Sequence, residues 1–393
     1  MTDRARLRRA AASLAVVGVG ETDYALDHAA LRDGKVRSDA YGFAAIAVKR
    51  ALRDAGLRLS DIDGLVVGQS TAVERMAEVL GVDPSWSAQA DAVNAVIQAA
   101  MAIESGLAEC IALVYGNDQK SAGTQYGGPN AMGGERFLAY VQYAPWGLTS
   151  QGALYAMMAN RYMAEADFTP ADLGRIAVGQ RRFATRNENA IMRTALTLDD
   201  YLASRFVCEP LRLFDYCLVN DGGVALIVTT AERARSNPRA VGLASFARAD
   251  LSVDATSLRP RLVDFYHDAH RRAAADLYDV AGFGPEAVDS VQIYDSFTTH
   301  VPFALEGFGY CGLGEAAGLI RSGALAPGGR LPMNTSGGML SESYMQGWNH
   351  QVEAVRQLRG EAGDRQVPGV RHVHYMSDVA GKVASLIYRR AGA

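Results

Sequence analysis

The sequence predicts a layered α/β protein built from two similar halves, the first carrying a long insertion. Three observations carry this. Apolar strand-like runs alternate with helical periodicity along the chain. Two distant segments share one internal spacing. Between them, at about residues 117–217, a stretch interrupts the first copy.

Taken in order, Leu14–Val19 is a short apolar run ending in Gly20, a strand signal. Tyr41–Asp54 has apolar residues at helical spacing and ends at Ala55-Gly56, a C-cap signal. Ile62–Val67 reads as a strand, Val93–Glu104 as a nearly all-apolar helix closing at Ser105-Gly106, and Cys110–Val114 as a buried strand. Such alternation argues for strands covered on both faces.

The repeat joins ALRDAGLRLSDIDGLVVG, from Ala51, to LYDVAGFGPEAVDSVQIYD, from Leu277. Ala55-Gly56 precedes Ile62-Asp63 by the same interval as Ala281-Gly282 precedes Val288-Asp289. A second echo joins DGGVALIVTT, from Asp221, to AGKVASLIYR, from Ala380. The chain therefore divides near Asn237-Pro238 into halves 1–237 and 238–393. The insertion starts Gly-rich and turns helical through Gln151–Ala166 and Pro170–Ala184. A connection this long reads as a lid or binding element.

Composition narrows the function classes. With 49% apolar residues the chain can fill a large core. A net charge of -4 supplies no concentrated basic face, so no nucleic-acid partner is expected. The one basic cluster, Arg4, Arg6, Arg8 and Arg9, reads as a solvated tail. No apolar run reaches the roughly 18–20 residues of a membrane span, and no signal-like core opens the chain. Cys110, Cys208, Cys217 and Cys311 form no CxxC pair and have no His at zinc spacing, which fits a reduced, cytoplasmic compartment and no metal. Gly18-Val19-Gly20 lacks the third glycine and the acidic residue of a dinucleotide fingerprint. The lysines (Lys35, Lys49, Lys120, Lys382) sit at no candidate site, which argues against a Schiff-base aldolase.

Five segments fall in the order of a known family. They are VVGVGETDY, GLAECIALVYGND, LFDYCLVNDGGVALIVTT, VQIYDSFTTH and NTSGGMLSESYMQG. Over nearly the whole chain they resemble the thiolase superfamily, most closely its sterol-carrier and lipid-transfer branch. The resemblance implies a thiolase fold, with two pseudo-repeated halves in a layered αβαβα arrangement.

The departures carry the functional argument. Counting back from Ala108-Glu109-Cys110, the place of the family's nucleophilic cysteine is Gln89. The His of its Gly-His-Pro motif is Tyr344, and the leading His of its HDCFSTNE-like strand end is Tyr294. That motif's closing Asn-Glu becomes Thr299-His300-Val301, and HVHYMSDVAG lacks the second catalytic thiol. Cys110 and Cys311 lie elsewhere in the pattern and read as small buried hydrophobes.

Thiolysis needs a thiolate, and an amide is neither nucleophile nor base. Gln89 is left as a hydrogen-bonding group, or a space filler, at the start of the buried helix. Two phenols at former catalytic positions are acid/base groups. Ser341 or Ser343 is a candidate cap for the helix after Tyr344, whose dipole would favour an ionised phenol. Asp295, next to Tyr294 on a strand, faces the other side and reads as structural, while Ser296 shares the Tyr294 face and His300 lies two steps further along it. His300 is a third candidate for acid/base work; His350, His372 and His374 are further options. Gly337 and Gly338 allow close backbone approach, and the resemblance implies that this turn borders the CoA thioester.

Without the thiol, with acid/base groups and an oxyanion site kept, one C–C reaction remains natural: retro-aldol cleavage of a β-hydroxyacyl-CoA. Tyr294 is expected as base at the hydroxyl and Tyr344 as donor to the enolate. The pattern resembles the steroid side-chain-cleaving aldolases of the lipid-transfer branch. That likeness alone implies a 17-hydroxy steroid substrate, a homodimer and a small OB-fold partner subunit. CoA is part of the substrate, so no separate cofactor is expected. The alternatives are another cysteine-independent acyl-CoA reaction, or a non-catalytic acyl-CoA- or lipid-binding subunit.

Overall fold

The computed structural model describes residues 4–124, 146, 148, 150–250, 264–379 and 382–390. Most of the Gly-rich opening of the insertion (Gly127, Gly128, Gly133, Gly134) lies outside them.

Among the described residues, nine strands form one sheet. In chain order they are β1 (Leu14–Glu21), β2 (Gly64–Val67), β3 (Trp86–Gln89), β4 (Cys110–Asn117), β7 (Gly222–Thr230), β8 (Val241–Asp250), β9 (Ser290–Ile293), β10 (His372–Val379) and β11 (Lys382–Arg390). β5 (Phe206–Cys208) and β6 (Leu211–Arg212) make a separate hairpin inside the insertion. The sheet order is β3-β2-β4-β7-β1-β8-β11-β10-β9. Its centre is its narrowest join, because β1 and β8 pair only through Ala15 with Gly242 and Val16 with Val241. On either side the pattern repeats: β2 and β4 run parallel as β9 and β10 do, β4 pairs antiparallel with β7 as β10 does with β11, and β7 pairs antiparallel with β1 as β11 does with β8.

The sequence repeat is a structural repeat. The helices used below are α1 (Arg4–Ser13), α2 (Ala40–Ala55), α3 (Ala92–Glu104), α4 (Gln151–Glu165), α5 (Pro170–Ala184), α6 (His267–Ala281), α7 (His300–Gly307), α8 (Gly338–Ser341) and α9 (Trp348–Arg359). α2 ends on left-handed Gly56 and α6 on left-handed Gly282. Each is followed by one short 3₁₀ turn and then by a strand. The Asp63 carboxylate takes the N–H groups of Glu109 and Cys110 at the head of β4. Asp289 takes those of Arg371 and His372 at the head of β10.

Alternation places the layers. Val224, Leu226 and Val228 of β7 enter the central core, while Ala225 and Ile227 enter the outer one. Ala384 and Leu386 of β11 enter the same central core, and Val383 and Ile387 the opposite outer one. α3 and α9 pack together between the two sets of strands, α2 covers the first half and α6 the second. The result is the expected αβαβα stack. α2 sits unusually close because glycine faces it: a Cβ on Gly18 would lie 2.2 Å from the Ala51 carbonyl, one on Gly20 2.3 Å from that of Ala47, and one on Gly116 1.9 Å from that of Ala40. This close packing is the task of the Gly18-Val19-Gly20 pair.

The basic N-terminal cluster is not a tail. It forms α1, packed on β8, α3 and α6, with Arg4 and Arg8 near Asp279 and Arg9 near Glu104. Among the described residues no helix is long and apolar enough to cross a membrane.

Candidate active site

The site forms where β9 ends. Tyr294 extends the strand by one bond, donating its N–H to the Met376 carbonyl at 2.9 Å, and its ring is buried. Asp295 points the opposite way, as expected for a structural residue. It accepts from the Met339 N–H at 3.0 Å, capping α8, and from His350 Nε2 at 2.9 Å.

Beyond Asp295 the chain leaves the strand, contrary to the alternation expected through His300. Ser296 to Thr299 turn, and His300 opens α7. Ser296 and His300 meet nonetheless, four residues apart around that turn, with Oγ 2.9 Å from Nε2. His300 Nδ1 lies 2.5 Å from Asp378 Oδ1, and His270 Nε2 lies 3.3 Å from Asp378 Oδ2. Burial raises the Asp378 carboxyl, but His300 and His270 outweigh it and hold the group below the usual carboxylate range. Burial pushes His270 down, towards the neutral ring. The His300 ring meets the Tyr294 ring edge-on at 5.6 Å and lies 4.5 Å from Tyr155 of α4, so the insertion supplies one wall.

Tyr344 reaches the site from the loop between α8 and α9. Its side chain packs beside that of Tyr294 and favours the Tyr294 anion. Two buried asparagines hold its backbone: Asn220 Oδ1 takes its N–H at 2.7 Å, and Asn117 Nδ2 donates to its carbonyl at 3.1 Å. Burial drives the Tyr294 phenol well above its ordinary pKa, and Tyr344 beside it only partly offsets this. Tyr294 is therefore a proton donor at rest.

Gly337 and Gly338 take φ of 109° and 60°. A Cβ on Gly338 would stand 2.3 Å from Asp295 Oδ2, so the turn must be glycine to bring α8 onto Asp295. Neither serine caps the next helix: Ser341 lies in α8 and receives Arg181 Nε, Ser343 receives Asn220 Nδ2, and the N-cap of α9 is Gly347. Glu342 fastens the same turn, accepting from Asn187, Ser336 and Asn349; burial raises its carboxyl.

Gln89 is not at the start of the buried helix. It ends edge strand β3, is exposed, and donates to the Thr71 carbonyl at 2.9 Å. The N-cap of α3 is Asp91, which accepts from the Asn94 N–H. The remaining histidine options fall away from the tyrosines or into structural bonds: His374, between Tyr310 and Ser385, is depressed by burial to about 3, and His372 contacts the Ala287 carbonyl.

Three of the thiols are held protonated and so are poor nucleophiles. Burial raises Cys110 to about 11, and Cys217 and Cys311 to about 12. Sequence reasoning missed Asn117, Asn220 and Asp378. The first two stand in the GND and VND turns that mark the strand ends; nothing local signals Asp378.

Known proteins are similar to this chain over most of its length. The family model for the thiolase C-terminal domain matches residues 253–390. The chain is 34% identical to a steroid side-chain-cleaving aldolase of Thermomonospora curvata, across 88% of this chain and 90% of that one. It is also 34% identical to the 17-hydroxy-3-oxo-4-pregnene-20-carboxyl-CoA lyase of Mycobacterium tuberculosis, across 91% and 94%. Among solved structures, an Ltp2-ChsH2(DUF35) aldolase superimposes with a TM-score of 0.87 at 31% identity, covering 97% of this chain and 98% of that one. Human mitochondrial 3-ketoacyl-CoA thiolase shares the fold, with a TM-score of 0.70 at 12% identity. The chain belongs to the thiolase superfamily, in the branch that contains the steroid side-chain-cleaving aldolases.

Proposed function

We propose that the chain is a carbon–carbon lyase that cleaves a β-hydroxyacyl-CoA by a retro-aldol reaction. The proposed substrate is a steroid with a 17-hydroxyl and a short CoA-linked side chain, released as a 17-ketosteroid and propionyl-CoA. The names of the two curated relatives support the substrate class.

The observation that carries the reaction type is the packing of two phenols, Tyr294 and Tyr344, side by side in a site whose nearby thiol, Cys217, is held protonated. Retro-aldol cleavage forms no acyl-enzyme and needs no thiolate. It needs donors for the thioester enolate and a proton for its α-carbon. Burial keeps Tyr294 protonated, so its natural task is to donate to the thioester oxygen, the reverse of the base role expected from the sequence. Tyr344 keeps its expected role and delivers the proton to carbon. The Gly337-Gly338 turn is assigned to the thioester side. Gln89 is assigned no role in the chemistry. The reading includes a cytoplasmic homodimer with a small OB-fold partner; the two-component name of the solved aldolase supports a partner subunit.

The test is turnover of a 17-hydroxy steroid CoA thioester, following 17-ketosteroid and propionyl-CoA. Wild type is expected to release both, and Tyr294→Phe and Tyr344→Phe to lose roughly 100-fold or more. Cleavage that survives both changes would refute the tyrosine roles; a bound but uncleaved thioester would refute the reaction.

A further inference from the structure

On the retro-aldol reading, which this inference rests on, one task has no holder. Both halves of the tyrosine pair act as donors, and something else must take the proton of the β-hydroxyl. The geometry points to Ser296 and His300 as the path for that proton, with Asp378 as the residue that positions it.

Three observations carry this. The chain of contacts is continuous: Ser296 Oγ to His300 Nε2 at 2.9 Å, and His300 Nδ1 to Asp378 Oδ1 at 2.5 Å. An ionised carboxylate only accepts, so Nδ1 carries a ring proton, and in the neutral form of the ring Nε2 is the acceptor for the serine hydroxyl. Ser296 therefore has its oxygen lone pairs free to take a proton as it passes its own to the ring. The chain also starts beside the tyrosines. Ser296 is two residues from Tyr294, and the His300 ring stands edge-on to the Tyr294 ring. Finally, it is shielded. Ser296, His300 and Asp378 are all buried, and among the described residues the titratable groups beside them include Tyr294, Tyr155, Cys217, whose N–H donates to the Ser296 carbonyl, and, through Asp378, His270. His267 and Glu306 pair with each other one layer further out.

The step balances. The substrate O–H bond breaks as its proton moves to Ser296 Oγ, while the serine proton moves to His300 Nε2. The O–H electron pair becomes the second bond of the ketone, and the broken carbon–carbon pair becomes the thioester enolate. Tyr344 protonates the α-carbon; once the products leave, Tyr344 regains a proton from water and His300 gives its own to water. Nothing is oxidised or reduced, and no co-reactant enters. Asp378 touches no substrate atom; it fixes which nitrogen of His300 is free and stabilises the ring while it is charged.

The relay and the tyrosine pair can be separated by measuring two reactions on one enzyme. One is carbon–carbon cleavage of the 17-hydroxy steroid CoA thioester. The other is exchange of the α-hydrogens of propionyl-CoA with D2O, which uses the enolate donors but has no β-hydroxyl to deprotonate. Tyr344→Phe is expected to lose both. Ser296→Ala and Asp378→Asn are expected to lose cleavage by on the order of 100-fold or more and to keep exchange within a few-fold, which also shows that they are folded. Wild-type cleavage that survives Ser296→Ala and Asp378→Asn would overturn the relay alone. So would cleavage and exchange falling by the same factor. Absence of wild-type cleavage would overturn the retro-aldol reading, and the relay with it.

Discussion

Asn220 holds Tyr344 by its backbone: Oδ1 accepts the tyrosine N–H at 2.7 Å while Nδ2 donates to Ser343 Oγ at 2.8 Å. Asn117 secures the other side, donating to the Tyr344 carbonyl and to that of Asn220. A phenol proposed to meet both Tyr294 and a thioester is thus aimed from two strand ends of the opposite half. Asn220→Ala leaves a buried N–H and a serine hydroxyl unpaired, at a cost of about 1–3 kcal/mol. It also frees the loop, and small displacements of a reacting group cost up to roughly 100-fold. The expected outcome is a kcat lowered 10- to 100-fold with a smaller change in KM. Steady-state kinetics beside a urea melt will show it; a stability loss with full kcat would deny Asn220 this role.

Much of the architecture was legible because local rules fix it. Gly56 and Gly282 end helices in the left-handed conformation, and Asp63 and Asp289 bind the heads of neighbouring strands, so the same letters recur at the same spacing. Tyr294 and Tyr344 were legible through their place in ordered motifs. The tie of Tyr344 to Asn117 and Asn220 was not, because those bonds cross between halves. His300 was found for the wrong reason: strand alternation was carried past Ile293, whereas a turn returns the ring to Ser296. Gln89 was misplaced although the correct start of α3, Asp91 capping Asn94, stood in the sequence two residues later.

The twin aspartates yield a paired prediction. Asp63 and Asp289 each accept two backbone N–H groups at the head of a parallel neighbour, far from the tyrosines in function if not in fold. Asp63→Ala and Asp289→Ala should each destabilise by about 1–3 kcal/mol through unpaired strand-end donors. Cleavage by the folded fraction should remain near wild type. Chemical denaturation gives the first quantity and turnover the second. Unequal costs, with one change near zero, would break the equivalence of the two halves.

Two glycines with similar backbone angles should respond differently to alanine. Gly56 has φ of 68° and open space where a Cβ would go, so Gly56→Ala costs only the left-handed conformation, about 1 kcal/mol. Gly338 has φ of 60° and would set its Cβ 2.3 Å from Asp295 Oδ2. Gly338→Ala must therefore push Asp295 off the Met339 N–H and shift the turn that leads to Tyr344. Its activity should fall by well over tenfold while Gly56→Ala keeps full turnover. Comparable activity in the two variants would show that the turn has room that this geometry denies it.

The last prediction concerns pH. Asp215 is buried and accepts from Thr298 Oγ1 at 2.7 Å and from Tyr201, tying the insertion to the turn before His300. Burial raises its carboxyl to about 6, against the bonds from Thr298, Arg212 and Tyr201 that favour the anion. Between the ordinary carboxylate value of 3.8 and about 6, the folded chain holds a proton that the unfolded chain has lost. This contribution is full below about pH 4 and disappears as pH rises through 6, by roughly 3 kcal/mol in all. Asp215→Asn is neutral at every pH. Whatever the variant loses at pH 4 by turning an amide towards hydrogen-bond donors, its stability relative to wild type should rise by about that amount by pH 7. Urea midpoints for both proteins at pH 4, 5, 6 and 7 measure the difference directly. A difference that stays constant across the series would mean that Asp215 titrates in the folded protein as it does in the unfolded chain.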